Sequence, residues 1–134
     1  MLVVAGPLIE EIGKVLLPLM VMEKNPANFS SRTQLILCAV IGGLVFSAME
    51  NLLYLNVYIQ DPPPELIRWR WTVCVFLHSG CSLLAGLGVS KSWKESVNKM
   101  QPPKIETAAP LMITAVVLHG CYNFLSLFLN TRFE

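Results

Sequence analysis

Four long apolar stretches, separated by shorter polar segments, dominate the pattern of this chain. They cover roughly residues 2–22, 33–59, 66–90 and 107–130. Each is about as long as the roughly 20 residues that an α-helix needs to cross the hydrocarbon core of a bilayer. Unpaired backbone groups are not tolerated in lipid, so segments that span it must be helical or form a closed barrel. The pattern predicts an all-α, polytopic transmembrane bundle of about four helices, without a sheet.

Prolines and polar runs mark the expected breaks between these helices. Pro18 lies inside the first stretch and should kink or end its regular part. Residues 61–65 contain three consecutive prolines and are expected to form a rigid, non-helical break. Residues 91–106 carry four lysines and are expected to form a polar loop.

Composition supports the membrane assignment. Hydrophobic residues make up 54% of the chain without glycine and charged residues 14%, whereas soluble domains are about 25% charged. We therefore predict a multi-pass integral membrane protein, with residues 1–134 forming one domain embedded in the lipid bilayer. The first apolar run begins almost at Met1, as expected for the core of a longer protein. A net charge of +1 does not suggest a nucleic-acid partner.

Ionisable residues inside the apolar stretches are the main candidates for function. A charge at the bilayer centre costs roughly 2.5–3.5 kcal/mol on insertion scales, so three in the first stretch need a reason. Spacing of i,i+4 favours a pair between Glu10 and Lys14, which would leave Glu11 as the freer carboxylate. The ionisable residues in the four stretches are Glu10, Glu11, Lys14, Glu50, His78 and His119.

Four of these residues are predicted to lie at a common depth. The chain alternates direction across the membrane, and each helical residue advances about 1.5 Å. Measured from the same side, Glu11 and Glu50 lie at about 14 Å, His119 at about 16 Å and His78 at about 18 Å. Two acids and two histidines within about one helical turn, on four helices, indicate a single site.

The residue types at this depth point to metal-assisted hydrolysis. Two imidazoles and one carboxylate are a common catalytic zinc set that leaves the fourth position for water. We therefore predict a divalent metal, zinc, with Glu50, His78 and His119 as ligands, Glu11 as the general base and Glu10 as the second catalytic carboxylate. Asn123, one turn after His119, would stabilise an oxyanion or orient a ligand. The spacing is not that of the HExxH metalloproteases.

Small residues predict where two of the helices pack closely. Ala39, Gly43 and Ser47 recur at i,i+4 spacing on the second stretch, an arrangement that lets a neighbouring helix approach. On the third stretch, one face carries a similar row, formed by His78, Ser82, Gly86 and Ser90.

Four short motifs resemble those of the PrsW family of intramembrane proteases, in the wider group that includes the type II CAAX prenyl endopeptidases. They are EExxK at residues 10–14, FxxxEN at 46–51, HxxxS at 78–82 and HxxxN at 119–123. Arg70, eight residues before His78, also fits the family pattern. The resemblance implies a multi-helix protease that cleaves a membrane-anchored protein near or within the bilayer, and family members usually have more than four helices.

Three functional hypotheses remain open at this point. The first is a metal-dependent intramembrane peptidase. The second is a non-catalytic membrane scaffold or chaperone, because the same wider group includes the scaffold subunit of gamma-secretase. The third is a transporter with a proton relay near the midplane, since intramembrane acids and histidines also serve that purpose. The presence of both Glu10 and Glu11 favours the enzyme, because a scaffold needs no spare base.

Overall fold

The computed structural model describes residues 5–130, and side chains as far as Leu127. These residues form helices and connecting turns, without a strand, which confirms the all-α prediction. The helices are α1 (Ala5–Lys24), α2 (Arg32–Leu53), α3 (Pro64–Trp69), α4 (Val75–Lys99) and α5 (Ile105–Asn130). Wider π-turns extend α2 over Tyr54–Tyr58 and join α3 to α4 over Arg70–Cys74. Within the described part of the chain, three continuous helical segments are long and apolar enough to cross a membrane, namely Arg32–Tyr58, Pro64–Lys99 and Ile105–Leu127.

Several predicted breaks are shorter than expected. The prediction of a polar loop at 91–106 is wrong over most of its length, because α4 continues to Lys99. The helix ends there because Met100 adopts a left-handed backbone conformation, with φ 49°. The proline break at 61–65 is also too long, since α3 begins at Pro64. Proline fits the first turn of a helix, where its missing N–H would have no partner anyway.

Pro18 does not end α1, which continues as far as Lys24. A proline removes the backbone bond to the carbonyl four residues earlier, which here is that of Lys14. The backbone of α2 lies close to this carbonyl. A Cβ atom added to Gly42 would lie only 2.5 Å from the Lys14 carbonyl oxygen. Glycine at position 42 therefore lets α2 pack directly against the part of α1 that carries Lys14.

The small residues of α2 and α4 pack closely against each other, as the sequence predicts. Ala39, Gly43 and Ser47 are buried, and a Cβ placed on Gly86 would lie 2.7 Å from the Ala39 Cβ. A Cβ placed on Gly43 would meet the Ser82 side chain and would lie 2.9 Å from the His78 carbonyl oxygen. Helix α4 packs against both α2 and α5, and α1 lies against all three. This packing brings the polar residues of four helices together.

Replacing Gly43 with alanine should destabilise the protein, because the added methyl group overlaps Ser82 and pushes α2 away from α4. Overpacking of this kind typically costs about 1–3 kcal/mol. Gly80→Ala is the matched control, since nothing lies within 4 Å of a Cβ at that position. Thermal unfolding in detergent should show a lower midpoint for Gly43→Ala and an unchanged or slightly higher one for Gly80→Ala. Equal midpoints for the two variants would contradict the close α2–α4 contact.

Candidate active site

A continuous chain of polar contacts joins six ionisable side chains from four helices. It begins at Glu50, whose Oε2 lies 2.9 Å from His78 Nε2, and continues from His78 Nδ1 to Lys14 Nζ at 2.7 Å. Lys14 donates to Glu11 Oε1 at 2.6 Å, and the same oxygen lies 2.7 Å from His119 Nδ1. His119 Nε2 then lies 3.6 Å from Glu10 Oε2. The residues predicted to share one depth thus lie in one connected site.

Lys14 lies at the centre of this chain and is fully buried. Its ammonium group contacts Glu11 and His78 and lies 5.0 Å from the centre of the Phe46 ring. The expected pair between Glu10 and Lys14 is therefore wrong, because Lys14 pairs with Glu11. Both spacings are possible on one helix. The pairing that forms is the one in which Lys14 and Glu11 also contact the histidines of α4 and α5.

The contacts of Lys14 also fix the proton positions on His78. A lysine ammonium donates hydrogen bonds and accepts none, so His78 Nδ1 accepts from Lys14. In the neutral ring the proton is then on Nε2, which donates to Glu50 Oε2.

His119 has the opposite arrangement. Its Nδ1 donates to the Glu11 carboxylate, and its Nε2 faces Glu10. A carboxylate that accepts from one ring nitrogen commonly orients a histidine whose other nitrogen binds a metal.

Glu10, His78 and His119 form a compact group of possible metal ligands. Each offers one ligand atom, and these atoms lie within 4.8 Å of one another. The separation of 3.6 Å between Glu10 Oε2 and His119 Nε2 is close to the roughly 3.3 Å between two ligands of a tetrahedral zinc site. Glu10 Oε2 is also buried without a hydrogen bond among the described residues. The donor types, spacing and unpaired oxygen fit a bound divalent metal.

Comparison with known proteins shows the family. Residues 1–133 match the family model described as PrsW family intramembrane metalloprotease. The chain belongs to this family. The comparisons with curated proteins and with solved structures gave no match. The resemblance seen in the motifs is thereby confirmed, and the protein is a multi-pass integral membrane protein of an intramembrane protease family.

All four PrsW motifs meet at this site, but their members have different surroundings. Glu11, His78 and His119 are at most 2% exposed. The side chains of Glu10 and Glu50 are 22% and 32% exposed, so these two reach the surface of the described bundle, although Glu10 Oε2 itself is buried. Among the described residues, Glu50 lies outside the compact ligand group and contacts it through His78. The roles assigned to these residues from sequence stay predictions.

Asn123 lies one turn after His119 on α5 and is half-buried. Its backbone carbonyl accepts a hydrogen bond from Ser126 Oγ at 2.9 Å. Its role in stabilising an oxyanion or orienting a ligand stays a prediction.

Sequence reasoning gave no role to Asn51 and Arg70, which the structure places beside Glu50. Arg70 Nη2 lies 3.2 Å from Glu50 Oε2, and Arg70 Nε donates to Asn51 Oδ1 at 3.0 Å. Asn51 is fully buried. Both had been noted in the sequence, Asn51 as the last residue of the FxxxEN motif and Arg70 as part of the family pattern. Their contact could have been expected, since an arginine near the start of an apolar stretch is costly unless paired.

Proposed function

We propose that this protein is a metal-dependent peptidase that hydrolyses a peptide bond of a membrane-anchored protein. The observation that carries the proposal is the approach of Glu10, His78 and His119, from three helices, to within 4.8 Å of one another. Two histidines and one carboxylate are a common ligand set of catalytic zinc. We infer that zinc is the metal and that these three residues hold it. His78 would bind through Nε2, which would first have to lose the proton that it donates to Glu50 in the metal-free protein.

This assignment differs from the one made from sequence in the roles of the carboxylates. Glu11 is a poor candidate for the base, because it is 1% exposed and one of its oxygens already accepts from Lys14 and His119. Its position instead suits the orientation of His119. Glu50 is the more accessible carboxylate and contacts His78 directly, so we assign the role of base to Glu50.

The reaction follows from these roles. When bound, the metal would supply Lewis-acid activation of the attacking water. Glu50 accepts a proton from this water as its oxygen bonds to the scissile carbonyl carbon. Asn123 donates to the oxyanion that develops on the former carbonyl oxygen. Glu50 then passes the proton to the amide nitrogen as the C–N bond breaks, which gives a carboxylic acid and an amine.

The position of the site favours a membrane-anchored substrate. Trp69 and Trp71, both 43% exposed, precede His78 on the same continuous helical segment. Tryptophans are enriched at the membrane interface, and the rise of a helix places His78 roughly 10–14 Å from them. A chain already in the bilayer can reach this depth, whereas a soluble peptide would have to leave water.

Metal analysis combined with a cleavage assay tests the proposal. We expect the purified protein to contain about one zinc ion per chain and to cleave at least one of a panel of single-span reporter proteins in the same membrane. Removal of zinc with a chelator should stop cleavage, and added zinc should restore it. The His78→Ala/His119→Ala double variant is the control and should have neither metal nor activity.

Two results would contradict the proposal. Cleavage that continues in metal-free protein would mean that the carboxylates and histidines act without a metal. A folded parent with no metal and no cleavage of any reporter would favour a non-catalytic scaffold, in which the buried polar chain only joins the helices.

A further inference from the structure

We propose that Arg70 and Asn51 form a positioning pair that holds the Glu50 carboxylate against His78. The pair acts through Glu50 and does not touch the substrate. The proposal deepens the function proposed above and rests on it only for the expected effect on cleavage. The arrangement itself can be tested without metal or substrate.

The guanidinium group of Arg70 is held in a fixed orientation. Arg70 Nε donates to Asn51 Oδ1 at 3.0 Å, and Asn51 Nδ2 donates back to the Arg70 backbone carbonyl at 3.0 Å. The Tyr54 ring covers one face of the group, with 4.1 Å between its centre and the guanidinium carbon. Because Asn51 is fully buried and both ends of its amide are bonded, this pair cannot rotate without losing two hydrogen bonds.

Arg70 and His78 contact the same oxygen of Glu50. Arg70 Nη2 lies 3.2 Å from Glu50 Oε2, and His78 Nε2 lies 2.9 Å from it. The Arg70 nitrogen is buried and is not aligned for a hydrogen bond to this oxygen. The contact is therefore an ion pair, which holds the carboxylate by charge without using its lone pairs for a second hydrogen bond. Neither contact uses Glu50 Oε1, which is left to accept a proton.

The π-turn between α3 and α4 makes this double contact possible. Eight residues separate Arg70 from His78, and in an uninterrupted α-helix they would point about 80° apart. A π-turn contains about one residue more than an α-turn, and one such turn covers Arg70–Cys74. Arg70 therefore lies where the residue seven before His78 would lie in a regular helix, about 20° from it. Both side chains then reach Glu50.

A purely structural role for Arg70 is the alternative, since its contacts also join α2 to the α3–α4 segment. The two roles differ in what they do to the histidines. Loss of a positioning pair changes the hydrogen bond between His78 and Glu50 and leaves the contact between His119 and Glu11 unchanged. Loss of a structural link separates the helices and disturbs both histidines.

The chain has only two histidines, so ring ¹⁵N labelling of histidine gives a simple NMR spectrum of the metal-free protein in micelles. Arg70→Gln and Asn51→Ala should each shift the His78 ring signals and leave those of His119 in place. Arg68→Gln is the matched control, because Arg68 is exposed, lies on the same helix and has no side-chain contact with Glu50. It should change neither histidine.

Cleavage of a reporter that the parent cuts gives the second measurement. A small displacement of a catalytic group can cost about 10- to 100-fold in rate. We expect a loss of this size in kcat for Arg70→Gln, with unchanged KM and unchanged zinc content, and normal kinetics for Arg68→Gln.

The outcomes separate this proposal from the proposed function. Unchanged His78 signals in both Arg70→Gln and Asn51→Ala would overturn the positioning role. So would equal shifts of both histidines together with a lower unfolding temperature, which would show a structural link. A shift confined to His78 supports the positioning role even if no reporter is cleaved, and in that case the peptidase proposal alone would fail.

Discussion

Replacing Glu50 with glutamine should leave zinc bound and nearly abolish cleavage. Glutamine preserves the size of the side chain, but it cannot take a proton from water. Loss of a general base typically costs about 10²–10⁴ in rate. Glu10→Gln should behave differently, because it removes a proposed metal ligand and should lower zinc content along with activity. Metal analysis and reporter cleavage of both purified variants are the measurements.

The comparison of these two variants decides between the assignments made from sequence and from geometry. If Glu50→Gln loses zinc and Glu10→Gln retains it, Glu50 is the ligand, as the sequence suggested. Glu65→Gln is a suitable control, since Glu65 is exposed in the first turn of α3 and has no ion pair among the described residues. It should retain both zinc and cleavage.

Replacing Lys14 with methionine should have the largest effect on stability. The Lys14 and Glu11 side chains are 0% and 1% exposed, so the change leaves the Glu11 carboxylate buried without its main cation. Removing one partner of a buried ion pair typically costs about 3–5 kcal/mol. The measurement is the free energy of unfolding in mixed micelles, with the parent under the same conditions.

A second change on the same pair provides the control for this prediction. Glu11→Gln/Lys14→Met removes both charges and keeps an oxygen that can accept from His119, so it should recover much of the lost stability. Lys99→Met, at an exposed position in the last turn of α4, should leave the unfolding curve unchanged. The buried pair would not be important if Lys14→Met and Lys99→Met unfolded alike.

The sequence by itself determined the all-α architecture and predicted that four ionisable residues would lie close together. Four apolar stretches of spanning length leave helices as the simplest solution in lipid, because every backbone group must be paired within its own segment. The alternation of direction and the fixed rise per residue then place Glu11, Glu50, His78 and His119 at a similar depth. The first argument uses only the composition of each stretch, and the second uses only the depth of each residue. Both therefore hold without knowledge of how the helices pack.

Helix boundaries were less predictable for reasons that lie in the fold. The lysine-rich segment after Ser90 is polar enough to be a loop, yet α4 continues to Lys99. One face of this last part is buried, where Ser92 donates to the Lys104 carbonyl and Trp93 donates to that of Pro26. Contacts with distant residues therefore stabilise helix where local composition predicts a loop.

Only the tertiary structure decided which partner each ionisable side chain has. Both Glu10 and Glu11 have a spacing that permits a pair with Lys14, and the energies of such pairs on an isolated helix differ little. In the structure Lys14 pairs with Glu11, and the Glu11 oxygen that accepts from Lys14 also contacts His119 Nδ1. The rotation of α1 about its own axis, relative to the other helices, decides which carboxylate pairs with Lys14. That angle cannot be calculated from the depth of a residue or from its spacing along the chain.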